Sequence, residues 1–143
     1  MKATKAYYGT MLDPAMAINV FKEQKARMTA QRLAVFDILH NNYSHPSAEE
    51  IIEKVRKKLG HVSIATIYNT LDTLEKRGFI VKLDGLETKS HYDPDTRDHA
   101  HCICTKCKTI FDVEIKECTK EQIVPSNFVV TNIILHGICE NCK

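Results

Sequence analysis

The sequence has no long apolar run and no segment of biased composition. Its hydrophobic stretches are only a few residues long, far short of the roughly 18 that a membrane-spanning helix needs. The first residues, with Lys2, Lys5 and then Tyr7, lack the apolar core of a secretory signal peptide. No repeat or low-complexity tract is visible either. The 143 residues therefore predict one or two small globular domains, a cytoplasmic location and no association with membranes.

Charge is small in total but unevenly placed. Residues 1–86 carry 13 Lys or Arg against 9 Asp or Glu, whereas residues 87–143 carry 7 against 9. The basic front part weakly indicates a polyanionic partner. The six cysteines and seven histidines of the chain are mostly crowded into its last third, and this crowding points to metal binding.

Capping signals predict four helices in the first part of the chain. The predicted N-caps are Asp13, Thr29, Ser47 and Ser63, with the first helix near 14–26. Ser47 forms a capping box with Glu50, and Gly60 ends that third helix. The predicted apolar faces are Leu33, Phe36 and Leu39 in the second helix, Ile51, Ile52, Val55 and Leu59 in the third, and Ile67, Leu71 and Leu74 in the fourth.

The fourth helix has an unusual polar face. Hydroxyls, an amide and a phenol replace the Glu and Lys of an ordinary solvated helix. Such groups suit base edges and phosphates in a DNA major groove. The residues predicted to lie away from the apolar face are Thr66, Tyr68, Asn69, Thr70 and Thr73.

An extended segment follows this helix. Residues 79–83, then Asp84-Gly85 and then a second extended stretch predict a β-hairpin. Helices followed by a hairpin predict a winged helix-turn-helix, and a generic helical domain with a ribbon is the alternative. Further apolar stretches at 109–115 and 128–135 predict strands of a small α+β domain, which a metal ion would help to stabilise.

Two C-x-x-C pairs, Cys104/Cys107 and Cys139/Cys142, are separated by 31 residues. Each pair can occupy two adjacent corners of a tetrahedron, so the four thiolates predict a structural Zn(II) site. A pair of disulfides is the alternative, disfavoured because neither an export signal nor a redox-enzyme context accompanies the pairs. Cys102 and Cys118 remain as small thiols, of which Cys102 is also a candidate ligand or oxidation-sensitive site.

Histidines and carboxylates predict a second metal site. His99 and His101 share one face of an extended strand, Asp93 lies just upstream, and Asp112 lies on the strand after the first C-x-x-C. A mixed set of imidazole and carboxylate ligands suits Fe(II), Mn(II) or Zn(II). The alternative is a group of ordinary polar histidines.

The order of these motifs resembles the ferric uptake regulator family of bacterial metal-dependent repressors. The resemblance extends from Arg27 to the C-terminus and is carried by residues 63–69, Tyr92-Asp93, residues 98–101 and the two C-x-x-C pairs. It implies an α+β protein in which a winged helix-turn-helix DNA-binding domain (1–86) and a hinge (87–98) precede a small α/β dimerisation domain (99–143). It also implies a homodimer that binds an inverted repeat in double-stranded DNA.

The resemblance further implies residue roles. The regulatory Fe(II) or Mn(II) would clamp the DNA-binding domain against the dimer core, which links metal binding to DNA binding. Its ligands would be His45, Asp93, His99, His101 and Asp112. Toward DNA, Tyr68 and Asn69 would read bases, Ser63 and Thr66 would lie near the backbone, and Arg27 and Arg32 would approach the minor groove and phosphates.

Four positions resemble the peroxide-sensing branch of that family more than its iron regulators. Asp112 and Asn69 stand where iron regulators more often have glutamate and arginine, and Ala100 and Thr131 stand where many have the ligands of an additional site. The resemblance thus implies a repressor, not an enzyme, that releases DNA when peroxide oxidises His45 or His99.

Other functions stay open at this point. An iron-responsive regulator is the main alternative, and a zinc-responsive one is less favoured because Asp93 is not a cysteine. A zinc-ribbon interaction module or a metal-dependent hydrolase would be a different class of protein. The hydrolase would need a general base near an open metal site, and no motif for one is present.

Overall fold

The computed structural model describes residues 9–84, 89–115 and 124–143. The chain divides into two compact units, Met1–Arg97 and Asp98–Lys143. The first contains helices and a two-stranded sheet, and the second contains a three-stranded sheet, so the predicted α+β class is confirmed. In the described parts of the chain, no helix is long and apolar enough to cross a membrane.

All four predicted N-caps in the first unit are confirmed. The helices are α1 (Pro14–Glu23), α2 (Ala30–Leu39), α3 (Ala48–Leu59) and α4 (Ile64–Lys76). In each, the capping side chain accepts a backbone N–H of the first turn, which satisfies one of the donors a helix start leaves unpaired. The Ser47–Glu50 capping box is present, and Gly60 ends α3 with a φ of 79°.

Helix α1 is shorter than predicted. It ends at Glu23 because Lys25 takes a left-handed conformation, with a φ of 55°. The N–H of Ala26 then donates to the carbonyl of Phe21 at 2.9 Å, a pairing that closes helix ends. Phe21 meets Phe36 of α2 edge to face, with 5.4 Å between ring centroids, and this contact joins the first two helices in the core.

Two side chains, Leu33 and Thr70, do not lie on the helix faces predicted for them. Leu33 is 41% exposed, because α2 packs through Ala34, Val35, Phe36 and Leu39 instead. Thr70, predicted on the polar face of α4, is fully buried. Its hydroxyl donates to the carbonyl of Thr66 at 2.6 Å, so burial leaves no unpaired hydrogen.

The sheet of the first unit pairs β1 (Val81–Leu83) with β2 (His91–Asp93) antiparallel. The predicted β-hairpin is confirmed, and because Leu83 pairs with His91 its connection comprises residues 84–90. Residues 85–88 lie outside the described residues. At the ends of the connection the Ser90 hydroxyl donates to Oδ1 of Asp84 at 2.8 Å.

A short strap precedes the helices. Residues 9–12 run alongside residues 94–96, with Met11 and Asp95 as an antiparallel bridge. Thr96 donates its N–H and its hydroxyl to the carbonyl of Thr10, at 2.9 and 2.7 Å. Leu12 is buried in the core, so the strap connects the segment after β2 to the helices of the first unit.

The second unit is a sheet of order β4-β3-β5, formed by β3 (Ala100–Cys104), β4 (Ile110–Val113) and β5 (Ile134–Gly137). Strand β3 is antiparallel to β4 and parallel to β5. Most of the predicted strand at 128–135 is wrong. Pairing with β3 begins only where Ile134 meets His101, and Phe128 and Val129 are 62% and 84% exposed. Cys118 lies outside the described residues.

Candidate metal centres and DNA-contacting face

The four thiols of the two C-x-x-C pairs converge in the second unit. Their Sγ atoms all lie within 4.8 Å of one another, and those of Cys107 and Cys139 are 3.7 Å apart. The five described cysteines are free thiols, so the disulfide alternative finds no support among them. Four thiolates around one point are the donor set of a closed, tetrahedral zinc site, and these residues fit such an ion.

Local backbone structure brings the four thiols together. Cys104 is the last residue of β3, and Lys108 closes the following turn with a φ of 64° while its N–H donates to the Cys104 carbonyl at 2.9 Å. Cys139 and Cys142 bracket a short 3-10 helix, Glu140–Cys142. The N–H of Thr105 donates to the carbonyl of Gly137 at 2.8 Å, which holds the two turns side by side.

Hydrogen bonding divides the four thiols into two kinds. Backbone N–H groups, chiefly that of Cys139, lower the pKa of the Cys104 thiol to about 6. Thr109 lowers the pKa of Cys107. Burial raises the pKa of Cys139, and its hydrogen bond with Cys142 raises the pKa of that thiol to about 12. The pKa is thus lowered in both thiols of the first pair and raised in both thiols of the second, so the second pair loses its protons when a metal displaces them.

Two imidazoles and a carboxylate converge in the same unit. Oδ1 of Asp112 lies 3.5 Å from Nε2 of His99 and 3.5 Å from Nε2 of His101. The two Nε2 atoms are 3.0 Å apart. The strand period explains the arrangement, since residues two apart on an extended chain point to one side and Asp112 is the register partner of His101. Converging imidazole and carboxylate donors fit a divalent cation that prefers nitrogen and oxygen ligands.

The other two predicted ligands meet within the first unit. His45 and Asp93 are 2% and 1% exposed, and Nε2 of His45 lies 3.6 Å from Oδ2 of Asp93. The other oxygen of Asp93, Oδ1, accepts the N–H of Asp95 at 2.8 Å, which fixes the carboxylate orientation. His45 has a φ of 50°, in the left-handed region that is uncommon for a residue with a side chain.

The contact between His91 and His45 was not predicted from the sequence. Nδ1 of His91 lies 2.7 Å from the carbonyl oxygen of His45. The two residues are 46 positions apart, and no local pattern announces such a contact. It places a second histidine beside the His45 backbone.

Two of the residues predicted to contact DNA are exposed on helix α4. Tyr68 is 44% exposed and Asn69 is exposed, both on α4. Ser63 already uses its hydroxyl oxygen to accept the Thr66 N–H at 3.3 Å, so toward a ligand it offers its hydroxyl hydrogen. Thr66 is half-buried.

The two arginines predicted to contact DNA differ in exposure and in their contacts within the protein. Arg27 is exposed, whereas Arg32 is half-buried. The Arg32 guanidinium lies 5.3 Å from the ring centroid of Phe21 and donates to the carbonyl of Arg27. Arg32 therefore contributes to packing at the α1–α2 junction through a cation–π contact, beside any contact with DNA.

Comparison with known proteins agrees with this assembly of helices, sheets and metal-binding groups. The model of the ferric uptake regulator family matches residues 23–138, and the chain belongs to that family. It is 33% identical to the peroxide-responsive repressor PerR of Staphylococcus epidermidis, over 89% of this chain and 88% of that one. It is 31% identical to the peroxide operon regulator of Bacillus subtilis, over 89% and 91% of the two chains.

Solved structures show the same fold. The ferric uptake regulator Fur of Helicobacter pylori superposes with a TM-score of 0.78 at 24% identity, covering 93% of this chain and 96% of that one. The peroxide stress regulator of Campylobacter jejuni superposes with a TM-score of 0.67 at 28% identity, covering 87% and 98%. The chain thus has the fold of metal-responsive regulators and is similar in sequence to peroxide-responsive ones.

Proposed function

We propose that this chain is a metal-dependent, DNA-binding transcriptional repressor that senses peroxide through oxidation of a ligand histidine. The observation that carries the proposal is the convergence of His99 and His101 on one oxygen of Asp112. An aspartate at that position resembles the peroxide-sensing branch. The relatives that are about 30% identical bear the names of peroxide-responsive repressors, which supports the same conclusion.

The proposed DNA-binding domain is the winged helix of residues 1–86, followed by a hinge at 87–98. Its support is an exposed Tyr68-Asn69 pair on α4 and the β1–β2 hairpin that follows the helix. The excess of basic residues in this part of the chain favours a phosphate-rich partner. We infer an inverted-repeat target in double-stranded DNA, because two copies related by a twofold axis would read two half-sites.

The proposed dimerisation domain is residues 99–143. Phe111 and Leu135 lie on either side of Cys102 in the β4-β3-β5 register, and both are substantially exposed, at 42% and 52%. A row of apolar side chains on a small sheet favours burial against another surface. A second copy of the chain is the proposed partner, in a homodimer.

We assign Zn(II) to Cys104, Cys107, Cys139 and Cys142, where four sulfurs complete the coordination and leave no open position. We assign Fe(II) or Mn(II) to a regulatory site made of His45, Asp93, His99, His101 and Asp112. The first unit contributes two of these ligands and the second contributes three, and neither set alone is enough for a stable site. All five together are enough, and they leave one coordination position for a small molecule. A shared site would make metal binding and the arrangement of the DNA-binding domains depend on each other.

The sensing step needs no nucleophile and no acid–base pair from the chain. Bound Fe(II) would supply the reducing electrons that convert hydrogen peroxide into a strong oxidant. Of the three ligand histidines, His45 and His99 would be the targets, as the resemblance to the peroxide-sensing branch implies. An imidazole that has gained oxygen binds metal poorly, so its oxidation would release the clamp and end repression. With Mn(II) bound, the chain would repress but respond poorly to peroxide.

The first experiment tests the class of protein. Gel-shift assays with an inverted-repeat operator should show binding that requires added Mn(II), and the purified protein should be inactive in esterase and phosphatase screens. Metal-independent binding would contradict the regulatory site. Hydrolysis that requires His99 would support a metal-dependent hydrolase instead.

The second experiment tests the sensing chemistry. Iron-loaded protein treated with hydrogen peroxide should gain oxygen at His45 or His99, detected by mass spectrometry of its peptides, in step with loss of DNA binding. Release of DNA without oxygen at either histidine would refute the mechanism.

A further inference from the structure

His91 contacts the backbone of a proposed metal ligand. Its Nδ1 lies 2.7 Å from the carbonyl oxygen of His45. A carbonyl oxygen only accepts hydrogen bonds, so Nδ1 of His91 carries a proton and donates it to this contact. The contact joins the first residue of β2 to the segment before α3.

The residue held in this way has an unusual backbone. His45 has a φ of 50°, and a conformation of this kind costs energy and persists only where surrounding contacts impose it. The segment is also tied to β2 by a bridge between Ser47 and His91 and by the N–H of Tyr92, which donates to the Pro46 carbonyl at 3.0 Å. Both backbone contacts lie beyond His45 in the chain, whereas the imidazole of His91 contacts the carbonyl of His45 itself.

We propose that His91 is a positioning residue for the regulatory metal site: it holds the His45 backbone so that the His45 imidazole meets Asp93. This inference rests on the proposed function, in which His45 and Asp93 are ligands. His91 does not bind the metal. It fixes the direction of a buried ligand whose Nε2 lies 3.6 Å from Oδ2 of Asp93, as partners of metal ligands commonly do.

The test compares two substitutions of similar shape. His91→Asn keeps an N–H donor close to the place of Nδ1, whereas His91→Leu has no donor. His40 supplies a matched control, because its Nδ1 also lies 2.9 Å from a backbone carbonyl, that of Leu12, which is not a ligand residue. The zinc-loaded full chain would be titrated with Mn(II), with free Mn(II) measured by electron paramagnetic resonance and folding checked by thermal melts.

We expect His91→Leu to raise the Mn(II) dissociation constant about 10-fold, a cost typical of losing a contact behind a ligand. His91→Asn should stay close to wild type, and His40→Leu should not weaken Mn(II) binding even where it lowers the melting temperature. After iron loading and peroxide treatment, His91→Leu should also show a smaller share of added oxygen on His45 relative to His99. An unchanged Mn(II) affinity in His91→Leu would overturn the proposal, and so would equal weakening by His91→Asn.

Two further measurements distinguish a failure of this inference from a failure of the proposed function. If His45→Ala leaves Mn(II) affinity unchanged, the proposed ligand set itself is wrong. If His45→Ala weakens binding and His91→Leu does not, only the role of His91 is wrong. Nitrogen NMR of the wild-type imidazoles needs no variant and should show His91 protonated at Nδ1, whereas a ring protonated at Nε2 alone would refute the hydrogen bond.

Discussion

Asp112 and His101 are register partners on neighbouring strands, with Oδ1 of the carboxylate 3.5 Å from Nε2 of the imidazole. The short aspartate side chain reaches this position directly from β4. A glutamate would carry its carboxylate one methylene further from the strand. The length of this one side chain therefore sets how far the carboxylate lies from the two imidazoles.

Asp112→Glu should lower peroxide sensitivity while Mn(II)-dependent DNA binding persists. The longer carboxylate still offers an oxygen ligand, but it shifts the metal relative to the imidazoles that are to be oxidised. Because misplacements of about 1 Å can cost up to about 100-fold in rate, we expect oxygen addition to His45 and His99 to slow by about 10-fold or more. The measurement is a time course of oxidised peptides by mass spectrometry.

Glu114→Asp is the control for this change. Glu114 is exposed and lies just after β4, so shortening its side chain alters a carboxylate without touching the proposed ligands. Equal peroxide sensitivity of Asp112→Glu and wild type would remove the reason to prefer the peroxide-sensing branch, and an iron-responsive regulator would then be favoured.

Zinc binding to the four-cysteine site should release fewer than four protons per ion at pH 7. The reason is that the pKa of Cys104 is lowered to about 6, so this thiol is mostly ionised before the metal arrives. Cys142, with its pKa raised to about 12, still carries its proton at that pH. Proton release measured with a pH indicator should approach four at pH 5, where Cys104 is protonated as well. Equal release at both pH values would contradict the division of the thiols.

Features of the fold that depend on neighbouring residues were predictable from the sequence. Ser47 and Glu50 form their capping box because the two partners are three residues apart and need no tertiary contact. The spacing of the cysteines likewise predicted the convergence of Cys104 and Cys139, since few arrangements accommodate two C-x-x-C pairs in one small domain.

Features set by distant contacts were not predictable in the same way. Asp84-Gly85 is a strong local turn signal, yet the pairing of Leu83 with His91 decides the length of the connection. His91 itself gave no signal, because its partner His45 is 46 positions away. The helical spacing of Leu33 indicated an apolar face, but which side of α2 is buried depends on the helices around it.

Leu39→Ala should destabilise the protein far more than Leu33→Ala. Leu39 is fully buried, whereas Leu33 is 41% exposed on the same helix. Removing a buried leucine side chain costs about 2–5 kcal/mol through lost transfer energy and the cavity left behind, while an exposed site changes stability by about 0.5 kcal/mol or less. Denaturant unfolding of the two variants measures the difference. Similar losses for both would mean that α2 buries the face predicted from helical spacing.

Tyr68→Ala should weaken operator binding without lowering the melting temperature. Tyr68 is 44% exposed on α4, so its removal leaves the core intact, and loss of a base contact costs about 1–3 kcal/mol in affinity. Tyr43→Ala is the matched control, because this tyrosine is 55% exposed in the loop after α2. Fluorescence anisotropy with the operator and with a scrambled duplex measures both affinities. If Tyr68 reads bases, Tyr68→Ala should lose affinity mainly for the operator. An equal loss of affinity for both duplexes would mean that Tyr68 contacts the phosphate backbone instead.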